Sequence, residues 1–428
     1  MTDVEGALTR AFRDEWSRVV AAVIRITGDW SLAEDCAQDA FAAAAVAWPR
    51  DGVPDRPGAW LTTAARRRAL DRLRRAGAEQ RRLAQVATLA PPGAAAVGSV
   101  AGPASEVDEP AAVPDDRLAL IATCCHPALA QDVQVALTLR TVCGMPADEI
   151  ARAWGVSEAA MAKRLVRGRR KIVDAGIPYR VPSADRLPER LDGVLAVVYL
   201  TFNAGYTAGA GADVERARLA DEAVRLAGLV ARLVPDDPET HGLLALVLLQ
   251  DARRAARTDA AGDLVPLEEQ DRTRWDADRT AAGLAALADA ERLVRDGGRR
   301  GAYLVQARVA AEHARAASVA ATDWPAVAGH YADLVAVAPS PFAELGRAVA
   351  VAMADGPDAG LRVLAAVAPD PRLRGNPYVA ATRADLLRRA GRTAEAADEY
   401  RVALALVTDA TERRYLRRRL GEVSPEVG

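Results

Sequence analysis

Apolar positions along this chain recur at three- and four-residue spacing and nowhere alternate strictly with polar ones, a pattern of amphipathic helix and not of strand. On a helix starting at Ser157, Met161, Leu165, Gly168 and Ile172 share one face. Lys163, Arg164, Arg167, Arg170 and Lys171 fill the opposite arc. Upstream, Pro146 suits the first turn of a helix that carries Ile150, Ala151 and Trp154 inward. Gly155 permits a sharp exit and Ser157 caps the next helix. Helix, short glycine-containing turn and helix with a basic outer face is the helix-turn-helix pattern, whose second helix enters the major groove. A second basic helix spans Trp60 to Arg75, with Leu61, Ala65, Ala69 and Leu73 on one side and arginines over the rest. An acidic amphipathic stretch, SLAEDCAQDAFAAAAVAW, precedes it and is joined to it by a Pro-rich loop from Pro49 to Ala59.

The pattern lapses twice. Ala87 to Pro114 has no Lys or Arg and few large apolar groups to offset its ordering entropy, so it reads as a flexible linker. Pro178, Pro182 and Pro188 then interrupt helix. The expected organisation is a domain over 1–84, a linker over 85–114, a helix-turn-helix domain over 115–176, a connector over 177–186 and a helical extension over 187–424. In the extension Leu187, Leu191, Val194, Leu195, Val198 and Phe202 make a helix that must be buried. Ala384, Leu387, Gly391, Ala396, Tyr400 and Ala403 fall where a tetratricopeptide helix pair puts its packing residues. Ala348, Val351, Gly356 and Leu361 repeat the pattern about 35 residues earlier. The fold expected is all-α: two small helical domains followed by a tetratricopeptide-like α-solenoid.

Composition narrows the function. Half the chain is apolar and only 4% is aromatic. With 56 Lys and Arg against 58 Asp and Glu, any nucleic-acid surface must come from local patches. No run of 18 apolar residues occurs, and the opening MTDVEGALTRAFRDEW lacks a signal peptide's apolar block, so a cytoplasmic protein without a membrane partner is expected. Four cysteines, two of them adjacent, form no disulfide framework. Phosphate-loop, dinucleotide, metalloprotease and nucleophile-elbow motifs are all missing, and neither an enzyme nor a cofactor is expected. Cys124, Cys125 and His126 point in different directions along a helix, which suits packing better than metal. The carboxylates of LEEQDRTRWD, Leu267 to Asp276, read as an inter-helix ion-pair and capping segment.

These blocks, in this order, resemble bacterial RNA polymerase sigma factors of the extracytoplasmic-function type, in the sigma-70 superfamily. LAEDCAQDAF is similar to their region 2.2, which grips the polymerase clamp helices. The loop from Pro49 with WLTTAARRRALDRLRR is similar to regions 2.3 and 2.4, which read and open the −10 element. Residues 132–172 are similar to region 4, which reads the −35 element. CCHPAL, KIVDAGIPYRVP, LPERLDGVLAVVYLTFNAGY and LEEQDRTRWD resemble blocks of a subgroup with a tetratricopeptide-like C-terminal extension. One such block is usually Asn-Glu-Gly-Tyr, whereas here Ala204 stands at the Glu position, so a role for that carboxylate does not carry over.

The resemblance implies core RNA polymerase, through its clamp helices and flap, and promoter DNA as partners. It implies that Asp35, Gln38, Asp39 and Phe41 face the polymerase. Trp60, Arg66, Arg67 and Arg74 would hold the −10 strands, with the loop before them capturing an unstacked base. Lys163, Val166 and Arg167 would approach base edges of the −35 element, and Arg164, Arg170 and Lys171 its phosphates. The extension would regulate or assist, through a regulatory protein or ligand, often without a separate anti-sigma factor. The rival readings are a free-standing helix-turn-helix regulator with a helical sensory domain, and a helical scaffold. The acidic stretch from Glu34 to Asp39 separates them, because a plain repressor has no need of it.

Overall fold

The computed structural model describes residues 3–87, 116–154, 156–183, 185–206, 214–259 and 263–424. Most of the expected linker and Gly155 lie outside the described residues. Every long element is α-helical, and among the described residues extended pairing is limited to one bridge, Thr258 to Leu264. The chain divides into two compact units, Met1–Val197 and Val198–Gly428.

The first unit begins with α1 (Asp3–Thr27), α2 (Trp30–Asp51) and α3 (Pro57–Ala87), which pack against one another. Asp29 caps α2 by accepting from the Leu32 N–H at 3.0 Å. Trp16, Val20 and Ile24 of α1, Ala37, Ala40 and Trp48 of α2, and Leu61, Ala65 and Ala69 of α3 form the core. The expected loop of 49–59 is shorter than read. Pro49 sits in the last turn of α2, where little helix follows it, and Gly52 closes that helix with φ +84°. Pro57 opens α3, so the loop is 52–56. Leu73, read as apolar-side, is 41% exposed. At 31 residues α3 outruns α1 and α2, at 25 and 22.

Four shorter helices follow: α4 (Asp116–Cys124), α5 (Gln131–Leu137), α6 (Ala147–Ala153) and α7 (Glu158–Asp174). A single wide π turn, Thr138–Val142, extends α5. Cys124 and Cys125 are buried among these helices, and burial pushes the Cys125 thiol up to about 12, leaving it an inert packing group.

In the second unit, the latter half of α8 (Leu187–Tyr206) is followed by α9 (Val214–Leu233), α10 (Pro238–Asp251), α11 (Ala277–Arg295) and α12 (Ala302–Arg315). Then come α13 (Trp324–Val337), α14 (Pro341–Asp355), α15 (Pro357–Val367), α16 (Pro377–Arg389), α17 (Thr393–Leu406) and α18 (Ala410–Val423). Each helix packs chiefly on those one or two positions along the chain, as stacked repeats do. The six residues read as a repeat unit meet here. Ala384, Leu387, Ala396, Tyr400 and Ala403 share one core cluster between α16 and α17, and Gly391 turns the chain with φ +76°. Gly356, at the same point of the earlier pair, has φ +94°.

Small residues let these helices approach closely. A Cβ on Gly242 of α10 would stand 2.6 Å from the Leu304 backbone nitrogen of α12. Beside that contact, buried Glu239 accepts from the N–H groups of Gly301, Tyr303 and Leu304 at 3.2, 2.9 and 3.1 Å, satisfying the first turn of α12. Burial raises its carboxyl, and the Tyr303 and Leu304 N–H groups oppose that shift. The substitution Gly242→Ala forces α10 and α12 apart and should destabilise the second unit by about 1–3 kcal/mol. A thermal melt that does not move would show that the two backbones can separate freely.

Candidate nucleic-acid interface

The two halves of the helix-turn-helix form as their sequence requires. Pro146 precedes the first turn of α6, and Ile150 and Ala151 are buried while Trp154 is half-buried. The Ser157 hydroxyl accepts from the Ala160 N–H at 3.2 Å and starts α7. Met161, Leu165, Gly168 and Ile172 are all buried, with Gly168 against Val133 and Leu137 of α5. This packing turns the opposite face outward. Lys163, Arg167 and Lys171 are exposed, and among the described residues no carboxylate pairs with them. Val166 is 62% exposed between them. Arg170 is exposed but bridges to Asp174 at 3.3 Å. Arg164 is drawn back instead, half-buried and 3.1 Å from Asp132 of α5.

On α3, Arg67 and Arg74 are exposed, and Arg66 is half-buried. Arg74 lies 3.5 Å from Asp71, an exposed pair worth little. Arg68 and Arg72 turn toward α2: Arg72 bonds Asp39 at 2.7 Å and lies 3.6 Å from Asp35, and Arg68 lies 4.0 Å from Asp39. Asp35 and Gln38 remain exposed and Asp39 half-exposed. Phe41 is half-buried in an aromatic group with Phe12 and Trp16, at centroid distances of 5.2 and 6.1 Å. Trp60 is half-buried, edge-on to Trp48 at 5.9 Å.

The acid that opens the stretch from Glu34 to Asp39 is turned inward, a role its sequence reading did not give it. Glu34 of α2 is 3% exposed. It receives Arg140 Nε at 3.0 Å, the Thr141 hydroxyl at 3.1 Å and a short bond from Arg169 Nη2. Close by, Trp16 Nε1 donates to the Thr141 carbonyl at 3.1 Å, and Gly144 (φ +72°) lies against Phe12 and Trp16. Tyr179 OH reaches the carbonyls of Ala21 and Asp116, both at 3.3 Å, and Arg25 pairs with Asp116 at 3.1 Å. The three-helix N-terminal part and the helix-turn-helix part are therefore held together through polar bonds around one buried carboxylate.

Comparison with known proteins places these parts. Residues 11–79 match Sigma-70 region 2, and residues 119–172 match Sigma-70, region 4. An uncharacterized protein of Rhizobium meliloti (strain 1021) is 38% identical over 429 residues, covering 100% of this chain and 98% of that protein. The chain belongs to the sigma-70 family. Residues 190–291 match a family of unknown function, DUF6596, so this sigma-70 protein carries an additional C-terminal part. Regions 2 and 4 give it a role in transcription initiation, with core RNA polymerase and promoter DNA as partners. Among the described residues, no helix is long and apolar enough to cross a membrane.

In sigma-70 terms, Glu34 lies in region 2 and Arg140, Thr141 and Arg169 in region 4. A signal for it does exist in the sequence. Glu34 falls on the buried stripe of α2 with Trp30, Ala37 and Cys36, and Arg169 lies between Leu165 and Ile172 on α7. A charge on an apolar stripe, matched by an opposite charge on another, marks a buried pair. Removing one partner leaves the others uncompensated. Glu34→Ala should therefore cost about 3–5 kcal/mol locally, seen in the full chain as faster hydrogen exchange in α7 and the 138–142 turn. Exchange that stays as slow as in the parent would show that the cluster contributes no net cohesion.

Proposed function

We propose that this sigma-70 protein is a cytoplasmic sigma factor of the extracytoplasmic-function type, with −10 contacts on α3, −35 contacts on α7 and a regulatory or supporting helical extension. The observation that carries the reading is the outward row of unpaired cations on α7, Lys163, Arg167 and Lys171, with Val166 among them. Cations left without carboxylate partners are available for phosphates and for guanine O6 and N7, and an exposed Val suits a thymine methyl. Arg170 can exchange its exposed Asp174 bridge for a phosphate at little cost. Arg164 is assigned a weaker DNA role, because reaching a phosphate requires it to leave Asp132.

On α2, Asp35, Gln38 and Asp39 offer an acidic, accessible surface to a basic clamp, and half-buried Phe41 contributes its exposed edge. Arg66, Arg67 and Arg74 follow the opened −10 strands, with Trp60 braced by Trp48 at their head. RNA synthesis itself belongs to the polymerase, and the sigma factor supplies recognition.

The Glu34 cluster adds a conformational requirement. Elements named for positions −10 and −35 lie about 25 base pairs apart, or about 85 Å of duplex. A compact body of 197 residues has a radius of gyration of only about 16 Å. Promoter engagement thus requires regions 2 and 4 to part, which breaks the bonds of Glu34 to Arg140, Thr141 and Arg169.

The direct test is co-purification with core polymerase followed by run-off transcription. Asp35→Arg with Asp39→Arg should abolish co-purification, while the fold survives because only exposed pairs are lost. Undiminished co-purification would sink the clamp assignment. Arg167→Ala should cost about 1–3 kcal/mol at one −35 position, whereas Lys171→Ala should weaken all sequences alike and reduce the salt slope by about one. Equal sequence-independent losses would make α7 a phosphate clamp only. Glu34→Gln should raise run-off transcription at limiting protein, and an unchanged yield would mean that opening is not what limits promoter binding.

A further inference from the structure

Most arginines of the second unit are matched to carboxylates. Arg389 binds Glu268; Arg419 binds Glu268 and Glu269; Arg418 reaches Glu269 at 3.1 Å; and Arg383 reaches Glu399 at 3.0 Å. Arg254 and Arg279 close on buried Asp251. Against this background one cluster has no acid. Arg253, Arg257 and Arg272 pair with no carboxylate among the described residues. Arg253 and Arg272 both lie over the Trp275 ring, with guanidinium carbons 5.6 and 4.9 Å from its centroid, and Arg257 stacks on Tyr206 at 3.8 Å.

Arg272 donates Nη1 to the carbonyls of His313 and Ala316, yet its Nη2 is buried without a partner. Arg253 Nε, Trp275 Nε1 and His313 Nδ1 are likewise buried and unpartnered. His313 itself is 9% exposed. Burial, then Arg253 and Arg272, push its imidazole down to about 4, so it is neutral at pH 7 and can donate or accept without adding charge. A group of half-buried cations without carboxylate partners, with idle buried donors among them, is costly to fold and calls for an anion.

Two members of this group, Arg253 and His313, line a cavity of about 500 Å³ in the second unit. Gln250, Arg253, Gln306, His313, Tyr331 and Ser340 are its polar residues, and Leu246 and Leu334 are among its apolar ones. The size is that of a small-ligand site, and convergent polar groups beside apolar side chains can fix the head and body of such a ligand.

We propose that this cavity is a binding site for a small organic anion, a carboxylate on an apolar body, whose head is held by Arg253 with Gln250 and His313 and whose body packs against Leu246 and Leu334. A guanidinium takes a carboxylate through two parallel bonds, which is why the head is planar and anionic. The neighbouring acidic segment cannot serve, since Glu268 and Glu269 are already committed to Arg389, Arg418 and Arg419. The site lies outside the promoter- and polymerase-binding parts and does not depend on their assignment.

Calorimetric titration of the full chain at pH 7 tests this with octanoate as probe. Octanol supplies the body without the charge, and acetate and inorganic phosphate supply an anion without the body. Octanoate should saturate one site, with octanol, acetate and phosphate each at least tenfold weaker. Arg253→Gln should weaken octanoate at least tenfold. Gln250→Glu, nearly isosteric, sets an internal carboxylate beside Arg253 and should abolish binding even if the first variant proves unstable. No saturable octanoate binding, equal binding of octanol, or parent-like affinity in Gln250→Glu would overturn the proposal. Phosphate binding as tightly as octanoate would overturn it too, by making the cluster an inorganic-anion site.

Discussion

A carboxylate taken out of water must be met by donors that cannot easily leave it, and Glu34 places that demand on the whole first unit. Its partners lie more than a hundred residues along the chain, in a wide turn and a helix that would otherwise have no reason to touch α2. Because the pair is buried, its donors are fixed in position. Arg169 is held on the inner side of α7, which fixes the helix's rotation and leaves Lys163, Arg167 and Lys171 to solvent. The same bond that holds α7 also ties it to α2. A single ion cluster thus joins the region 2 and region 4 parts within the first unit.

The cations of this chain fall into three physical classes. Those facing carboxylates across elements, such as Arg140 with Glu34 or Arg389 with Glu268, hold elements together. Those on α7, exposed and without carboxylate partners among the described residues, stay solvated. Those half-buried near Trp275, with idle buried donors among them, belong to neither class. Formal charge treats all three alike, which is why a near-neutral total conceals how differently they are placed.

Small side chains govern the second unit. With few aromatics available, its helices gain cohesion by coming close, at Gly242 against Leu304 and at Gly360 against Ala348 and Ala352. Tyr400, buried among alanines and leucines, is the large exception that fills the α16–α17 seam. Loops contribute structure as well. Asp271 and Asp276 cap the turns that follow them, while Glu268 and Glu269 reach back to α16 and α18, so LEEQDRTRWD is the ion-pair and capping segment its composition suggests.

Local physics made much of this legible in the sequence. Helical periodicity identified several of the helices, the Ser157 cap located the start of α7, and Met161, Leu165, Gly168 and Ile172 defined its buried face. The alanine and leucine spacing around Gly391 likewise specified a helix pair. These depend on neighbours within a few residues, and sequence records neighbours directly. Pairings across long separations were not legible. That Arg164 turns to Asp132 while Arg167 stays free, that Glu34 leaves its acidic stretch for the core, and that Gln250, Arg253 and His313 converge on one cavity all depend on which helix faces which. Burial converts such a facing from a weak surface attraction into a strong constraint, and only the tertiary structure decides what is buried.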